Sequence, residues 1–244
     1  VVQILEMELE ELLQLNPDDI RHELTAGELL HIATMLDAFW TYNYSAADNG
    51  KPGHHAELKS GLHSDGFFVS RILLAPENIR TLIAKQMAMI LRERMGILPN
   101  FVAGVPDGAT ALAEAVGKEL GVPTVRMQKV DGKIGLADSL DPYISILLIE
   151  DICTRGTGFS EAVAAILQAH PETVILPFDP VIISRGGVEE VSVEHYGKFE
   201  VLPIVTLRVS DWMPADCPLC KRKSVAIKPK SSDASWQLIT TSQR

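Results

Sequence analysis

Hydrophobic positions along the chain follow two patterns, one recurring every three to four residues and one running unbroken, and together they predict alternating helices and buried strands. Leu5, Leu9, Leu12 and Leu15 recur at helical spacing among glutamates, so residues 3–15 read as a surface helix with one apolar stripe. Asn16-Pro17-Asp18-Asp19 offers a cap, a first-turn proline and first-turn acids for a second, short helix. Thr25 and Glu28 have capping-box spacing ahead of Leu29, Ile32, Ala33, Leu36 and Trp40, which predicts a third. Residues 76–95 repeat Ile79, Leu82, Ile83, Met87, Ile90 and Leu91 and close at Gly96, a helix suited to pack on a sheet. Another runs through Leu112, Val116 and Leu120 and stops at Gly121.

Short apolar runs between these helices predict strands at Phe101-Val102-Ala103, 122–127, 146–149, 173–178, 181–184 and 201–207, with a short helix after Arg185-Gly186-Gly187 that ends near Tyr196-Gly197. The most informative stretch is Ile146-Leu147-Leu148-Ile149-Glu150-Asp151-Ile152-Cys153-Thr154-Arg155-Gly156-Thr157-Gly158. Four consecutive aliphatics suit a strand buried on both faces, as in a parallel sheet, and put two carboxylates at its C-terminal edge. Thr154, Gly156, Thr157 and Gly158 then supply hydroxyls and unhindered N–H groups as an amphipathic segment with Phe159, Val163, Ile166 and Leu167 begins. A glycine-rich turn opening a helix favours an anion, through free N–H groups and the helix dipole.

Spacing excludes two nucleotide motifs at this loop. No lysine follows the glycines, as a Walker loop requires, and Glu161 stands where a dinucleotide fingerprint needs its third glycine. An acidic pair beside an anion loop would repel a bare polyphosphate, but it suits a sugar phosphate whose hydroxyls donate to carboxylates. A second strand-loop-helix, Gly104-Val105-Pro106-Asp107-Gly108-Ala109, would present N–H groups on the same sheet edge, at a switch point where ligands bind.

Composition narrows the functional classes. With 244 residues, 46% hydrophobic and 22% charged, the chain can bury a sizeable core, and no apolar run approaches the ~18 residues of a membrane span. A net charge of −10 argues against nucleic acid or anionic membrane as the main partner. Three cysteines suit a reducing cytoplasm better than a disulfide framework. Cys217 and Cys220 form a lone C-x-x-C, expected as unligated surface thiols because no second ligand pair is visible. His54 and His55 are adjacent and expected to be solvated, and no protein-held metal is expected; Cys153 is expected to be buried and inert.

The hydrophobic run, two acids, short spacer and Thr-x-Gly-Thr of residues 146–158 resemble the phosphoribosyl-pyrophosphate (PRPP) signature of type I phosphoribosyltransferases. Glu57-Leu58-Lys59-Ser60-Gly61-Leu62-His63-Ser64-Asp65-Gly66-Phe67-Phe68-Val69 further resembles a segment of the orotate branch, and the likeness extends over about residues 55–210. It implies a doubly wound, mainly parallel α/β sheet with a helical N-terminal extension and a small hood. The divisions expected are an extension over 1–48, the transferase domain over 49–223 and a tail over 224–244. It implies Mg²⁺-dependent transfer of ribose 5-phosphate from PRPP to orotate, with the metal held more by substrate and water than by protein.

On that resemblance, Glu150 and Asp151 hold the ribose hydroxyls, Thr154, Arg155, Gly156, Thr157 and Gly158 hold the 5-phosphate, and Gly104, Val105, Pro106 and Asp107 hold the pyrophosphate. Arg126 serves PRPP as well, and Lys59, Phe67, Phe68 and Arg185 meet the base. Residues 128–139 read as a mobile loop carrying cations, Lys129 and Lys133, which join Asp151 as catalytic candidates. Here Arg126-Met127-Gln128-Lys129-Val130-Asp131-Gly132-Lys133 departs from the Arg-Lys, second Lys and Asp-His-Gly of the family. A cytoplasmic homodimer is implied. The alternatives are another base (a purine or uracil), a non-catalytic PRPP- or nucleotide-binding regulator, or a phosphosugar enzyme unrelated to PRPP.

Overall fold

A computed structural model describes residues 2–244, so that Val1, at the head of the expected 1–48 extension, lies outside the described residues. The chain forms two compact units: Val1–Ile32 with Ser70–Leu207, and Ala33–Val69 with Arg208–Arg244. Among the described residues no helix is long and apolar enough to cross a membrane.

The first unit is built on a parallel sheet. Strand Phe101–Gly104 pairs with Ser145–Ile149, Gly104 opposite Ile149. The chain kinks at Glu150 and Asp151, where Glu150 N–H donates to Pro180 O (3.1 Å) and Ile182 N–H to Asp151 O (3.0 Å). It then continues as Ile152–Cys153, parallel to Phe178–Arg185, which in turn pairs in parallel with Gly197–Leu207. Beyond Phe101–Gly104, Thr124 makes a single parallel bridge to Val102. Connections from Phe101–Gly104 and from Ser145–Ile149 therefore run to opposite sides, which places a topological switch point between these two neighbouring strands.

Side-chain alternation explains the uninterrupted apolar run. Ile146 and Leu148 join Phe159, Val163 and Ile166 of helix Thr157–Ala169 in one core cluster. Leu147 and Ile149, equally buried, point to the other face, covered by helices Glu77–Arg94 and Thr110–Leu120. Gly121, in the left-handed conformation at φ 72°, ends the second of these as expected.

The N-terminal segments dock on helix Glu77–Arg94. Asn78 Nδ2 donates to Leu12 O (2.9 Å) and Leu15 O (3.0 Å), and the buried Gln86 amide accepts from Leu24 N–H (2.7 Å) and donates to His22 O (2.9 Å). The expected capping box is present, with Thr25 N–H bonded to Glu28 and Glu28 N–H to Thr25 Oγ1. Residues 3–15 form a 3-10 turn at Ile4–Glu6 and a helix at Leu9–Gln14 instead of one helix.

Three further expectations are corrected. Residues 122–127 make a bridge in place of a full strand, since Pro123 has no N–H to give a ladder. The helix expected after Gly187 is strand Glu190–Val193, antiparallel to Gly197–Leu207: Val191 and Val193 alternate inward with period two. Residues 127–136 form a two-stranded ribbon, Met127–Val130 with Lys133–Leu136, turned by Asp131 (φ 49°) and Gly132 (φ 79°). Asp-Gly between short extended segments is a strong hairpin signal.

In the second unit the expected third helix ends at Met35. Asp37 (φ 54°) turns the chain, and Trp40 lies in strand Phe39–Thr41, paired with Gly66–Phe68. Strands His54–Glu57 and His63–Ser64 form a hairpin flanked by Val225–Ile227 and Asp211–Trp212. Residues 224–244, read from the sequence as a tail, supply that flanking strand and helix Asp233–Thr241, whose Trp236 and Ile239 are buried. His55 and Cys217 are fully buried, which overturns their expected solvation.

Candidate active site

Both glycine-containing loops leave the same edge of the first unit's sheet, as the strand pairing of Gly104 with Ile149 requires. Gly104 is needed where its strand meets the next helix, because a Cβ there would lie 2.3 Å from Ala109 O. The chain passes through Val105, the half-buried Pro106, the exposed Asp107 and Gly108 before helix Thr110–Leu120 begins. A Cβ on Gly108 would sit 2.2 Å from Asp151 Oδ2 and 2.6 Å from its Cγ, so the Asp151 carboxylate occupies the space that a side chain at 108 would fill. One acid of the first loop, Asp151, is thus seated on the backbone of the other.

Asp151 is held from two more directions. Its Oδ1 accepts Ile152 N–H at 2.9 Å, and its Oδ2 accepts a hydrogen bond from the buried Ser70 hydroxyl, at the start of helix Ser70–Leu73. Ser70 was not singled out from the sequence; it lies 81 positions from its partner. Its only local signal is its place directly after Phe67-Phe68-Val69.

Glu150 is the opposite case. It is buried, its Oε2 has no hydrogen-bond partner, and its Oε1 packs against Gly158, where a Cβ would approach to 3.1 Å. Burial holds its carboxyl well above the usual range, and the neighbouring Asp179 and Asp151 push it the same way, against a hydrogen bond from Phe159 N–H. Asp179, on strand Phe178–Arg185, is fully buried with no nitrogen or oxygen donor at either oxygen. Its carboxyl is raised by burial too, opposed by the Cys153 thiol. Two such acids share one proton more readily than they both ionise. The sequence reading missed Asp179, whose Phe-Asp-Pro setting gives no hint of a second buried acid. Cys153 is buried as expected, its thiol pushed up to about 12, first by burial and then by the two acids, which keeps it an inert thiol.

Seen from the anion loop, burial and the neighbouring acids favour the neutral form of Glu150. This removes the repulsion that an ionised pair would exert on a phosphate. Thr154, Arg155 and Thr157 are exposed around the loop. Gly156 caps helix Thr157–Ala169 at φ 68°, and a Cβ there would strike Val191 at 2.4 Å, so both conformation and space call for glycine. The first-turn N–H groups of that 13-residue helix open onto the loop.

Lys129 and Lys133 are exposed on the ribbon, but Lys129 pairs with Ile134 and Lys133 with Val130, so the two lysines project from opposite faces. Arg126 stands at the ribbon's foot, 3.7 Å from Asp138. Arg185 ends its strand before Gly186 and Gly187, both at positive φ. Lys59, Phe67 and Phe68 belong to the second unit: Lys59 is exposed, Phe67 packs on Trp236 (6.0 Å between centroids) and Phe68 is buried against Phe39 (6.3 Å).

An orotate phosphoribosyltransferase of Acidithiobacillus ferrooxidans is 31% identical over 183 residues, covering 72% of this chain and 88% of that protein. The chain belongs to the orotate phosphoribosyltransferase family. The orotate phosphoribosyltransferase of Carboxydothermus hydrogenoformans is 26% identical over 179 residues, 72% of this chain and 89% of that one. The crystal structure of orotate phosphoribosyltransferase from Aeropyrum pernix superposes with a TM-score of 0.55 at 16% identity, over 73% of this chain and 93% of that chain. That likeness establishes the type I phosphoribosyltransferase fold expected from the sequence. No family model matches the chain.

Proposed function

We propose that the chain transfers ribose 5-phosphate from PRPP to orotate, giving orotidine 5′-monophosphate and pyrophosphate. The observation that carries this reading is the Asp151 carboxylate seated on Gly108, which joins an acid-pair anion loop to a second glycine loop at the switch point. In the reaction the C1′–O bond to pyrophosphate breaks, a C1′–N bond to the pyrimidine forms, and the proton of the ring nitrogen passes to the released pyrophosphate. Asp151 accepts from a ribose hydroxyl, the 154–158 loop holds the 5-phosphate, and the 104–107 loop faces the departing pyrophosphate. Arg185 is assigned to the base, where its guanidinium suits a carboxylate.

Mg²⁺ prefers oxygen ligands and keeps several waters. The residues fit a metal carried mainly by substrate oxygens, for which Asp151 would be the protein oxygen available; the buried cluster of Glu150, Cys153 and Asp179 includes a thiol, a poor ligand for Mg²⁺. When bound, Mg²⁺ neutralises charge on the leaving pyrophosphate. A cytoplasmic homodimer belongs to the same proposal; the three unpaired cysteines support a reducing compartment, and light scattering checks the dimer.

The test is a base panel with PRPP and Mg²⁺, monitoring pyrophosphate. Orotate is expected to release it, while adenine, hypoxanthine and uracil do not. Release with a purine alone would move the chain to another branch of the fold, and PRPP binding without release on any base would make it a regulator.

The opposed faces of the ribbon give a sharper expectation. Only one of Lys129 and Lys133 can turn toward a given substrate, so one of Lys129→Ala and Lys133→Ala is expected to lower kcat/KM by roughly 10²-fold and the other by less than about 3-fold. Steady-state kinetics on both variants checks this. Equal losses would mean that the ribbon is rebuilt when substrate binds.

A further inference from the structure

The second unit gathers four side chains for which the proposed transferase chemistry has no use. His55 Nε2 lies 3.0 Å from His63 Nδ1, 3.7 Å from Cys217 Sγ and 3.6 Å from Cys220 Sγ, and Cys220 Sγ lies 3.3 Å from His63 Nδ1. All four ligand atoms fall within 4.8 Å of one another. We propose that His55, His63, Cys217 and Cys220 bind one structural zinc ion that clamps the two chain segments of the second unit together.

Local structure aims these atoms at one point. Glu57 pairs with His63 across the hairpin, so His55, two positions along from Glu57, shares a face with His63. Cys217 immediately precedes the single turn Pro218–Lys221, which carries Cys220. Each pair comes from one stretch of chain, and the stretches are about 150 residues apart in sequence, so a shared ion crosslinks Ala33–Val69 to Arg208–Arg244. A unit this small gains stability from such a link.

The spacings match the ion. Zn–N bonds of about 2.0–2.1 Å and Zn–S bonds of about 2.3 Å in a tetrahedron put nitrogens roughly 3.3 Å apart and nitrogen and sulfur roughly 3.6 Å apart. Two thiolates and two imidazoles with no position left open make a structural zinc set.

The hydrogen bonds behind His55 also select a ligand tautomer. Ser224 Oγ lies 3.2 Å from Gly53 O, to which it can donate, and 2.9 Å from His55 Nδ1, from which it can then accept. In that arrangement Nδ1 carries the ring proton and Nε2 presents a lone pair to His63 and both sulfurs. This is the outer-shell arrangement that orients zinc-binding histidines. A cation at the centre satisfies all four donors at once, whereas a single proton between the rings leaves both sulfurs without a role.

The test uses the full chain without a metal-affinity tag, expressed with zinc, purified under reducing conditions and dialysed. Elemental analysis is expected to find about one zinc per chain. Replacement by Co²⁺ should give the visible bands of a tetrahedral thiolate site. Alkylation followed by peptide mass mapping should leave Cys217 and Cys220 unmodified until a chelator is added, and the chelator should lower the melting temperature. Cys217→Ser with Cys220→Ser should lose the metal; should that variant not fold, the wild-type measurements decide alone. Background zinc with both thiols freely alkylated, or a Cys217–Cys220 disulfide in the reduced preparation, would overturn the proposal.

Discussion

Replacing Gly108 with alanine is expected to lower kcat/KM for PRPP by about 10²–10³-fold, comparable to losing a preorganised polar group at a reacting centre. A methyl group at 108 would lie 2.2 Å from Asp151 Oδ2, so the carboxylate must swing away and give up its bond from Ser70. Substrate then meets the loop with the acid misplaced, which costs as much as its absence. Asp151→Ala should show the same loss. The double variant should be no worse than Asp151→Ala alone, because both changes remove one interaction. Ser70→Ala, which leaves Asp151 in its seat with one support fewer, should fall between wild type and Gly108→Ala. Steady-state kinetics on wild type, Gly108→Ala, Asp151→Ala and the double variant gives the cycle, with Ser70→Ala measured beside it. If the Gly108 and Asp151 losses multiply, Gly108 acts on the pyrophosphate loop directly, and the coupling between the loops is wrong. Stability should change by only about 1–2 kcal/mol in Gly108→Ala, which a urea curve would confirm.

Those parts of the site that lie along one stretch of chain were legible in the sequence. Residues 146–158 disclose strand, acids, glycine loop and helix because each is written in consecutive residues, and Glu77–Arg94 and Thr110–Leu120 show their period and their stops in the same way. Distant pairs were not legible. Nothing near Ser70 points to Asp151, and nothing near Cys217 points to His55 and His63, since those partners meet only after the sheet and the hairpin form. Two errors have a local cause. Asp131-Gly132 marks a hairpin that the small, flexible residues after it disguise as a loop, and Val191 and Val193 alternate with the period of a strand in a segment too short to separate it from a helical turn. The raised carboxyl of Glu150 was hidden as well, because it depends on burial: Glu150 and Asp151 are adjacent in sequence, yet one is buried beside Asp179 and the other accepts from Ser70.

Asp179 gives the second large effect, on stability. Asp179→Asn is expected to stabilise the protein by on the order of 2 kcal/mol at pH 8 and hardly at all near pH 4. The sign follows from the direction of the shift. Burial raises the Asp179 carboxyl in the folded chain, so between its unfolded value near 4 and its folded value the native state holds a proton that the unfolded state has lost. Stability therefore falls as pH rises through that window and levels off above it. Asparagine has no proton to lose, and its amide can donate to the unsatisfied Glu150 Oε2, which shares the same small space. The groups that face Asp179 are Glu150 and Cys153, and neither carries a compensating positive charge. Urea denaturation of both proteins at intervals from pH 4 to pH 8 provides the comparison. A gap that widens with pH supports a proton shared by the buried acids beneath the ribose site. A constant gap, or one that narrows with pH, would mean that Asp179 is ionised and paired in the native state, and the neutral Glu150 inferred for phosphate binding would go with it.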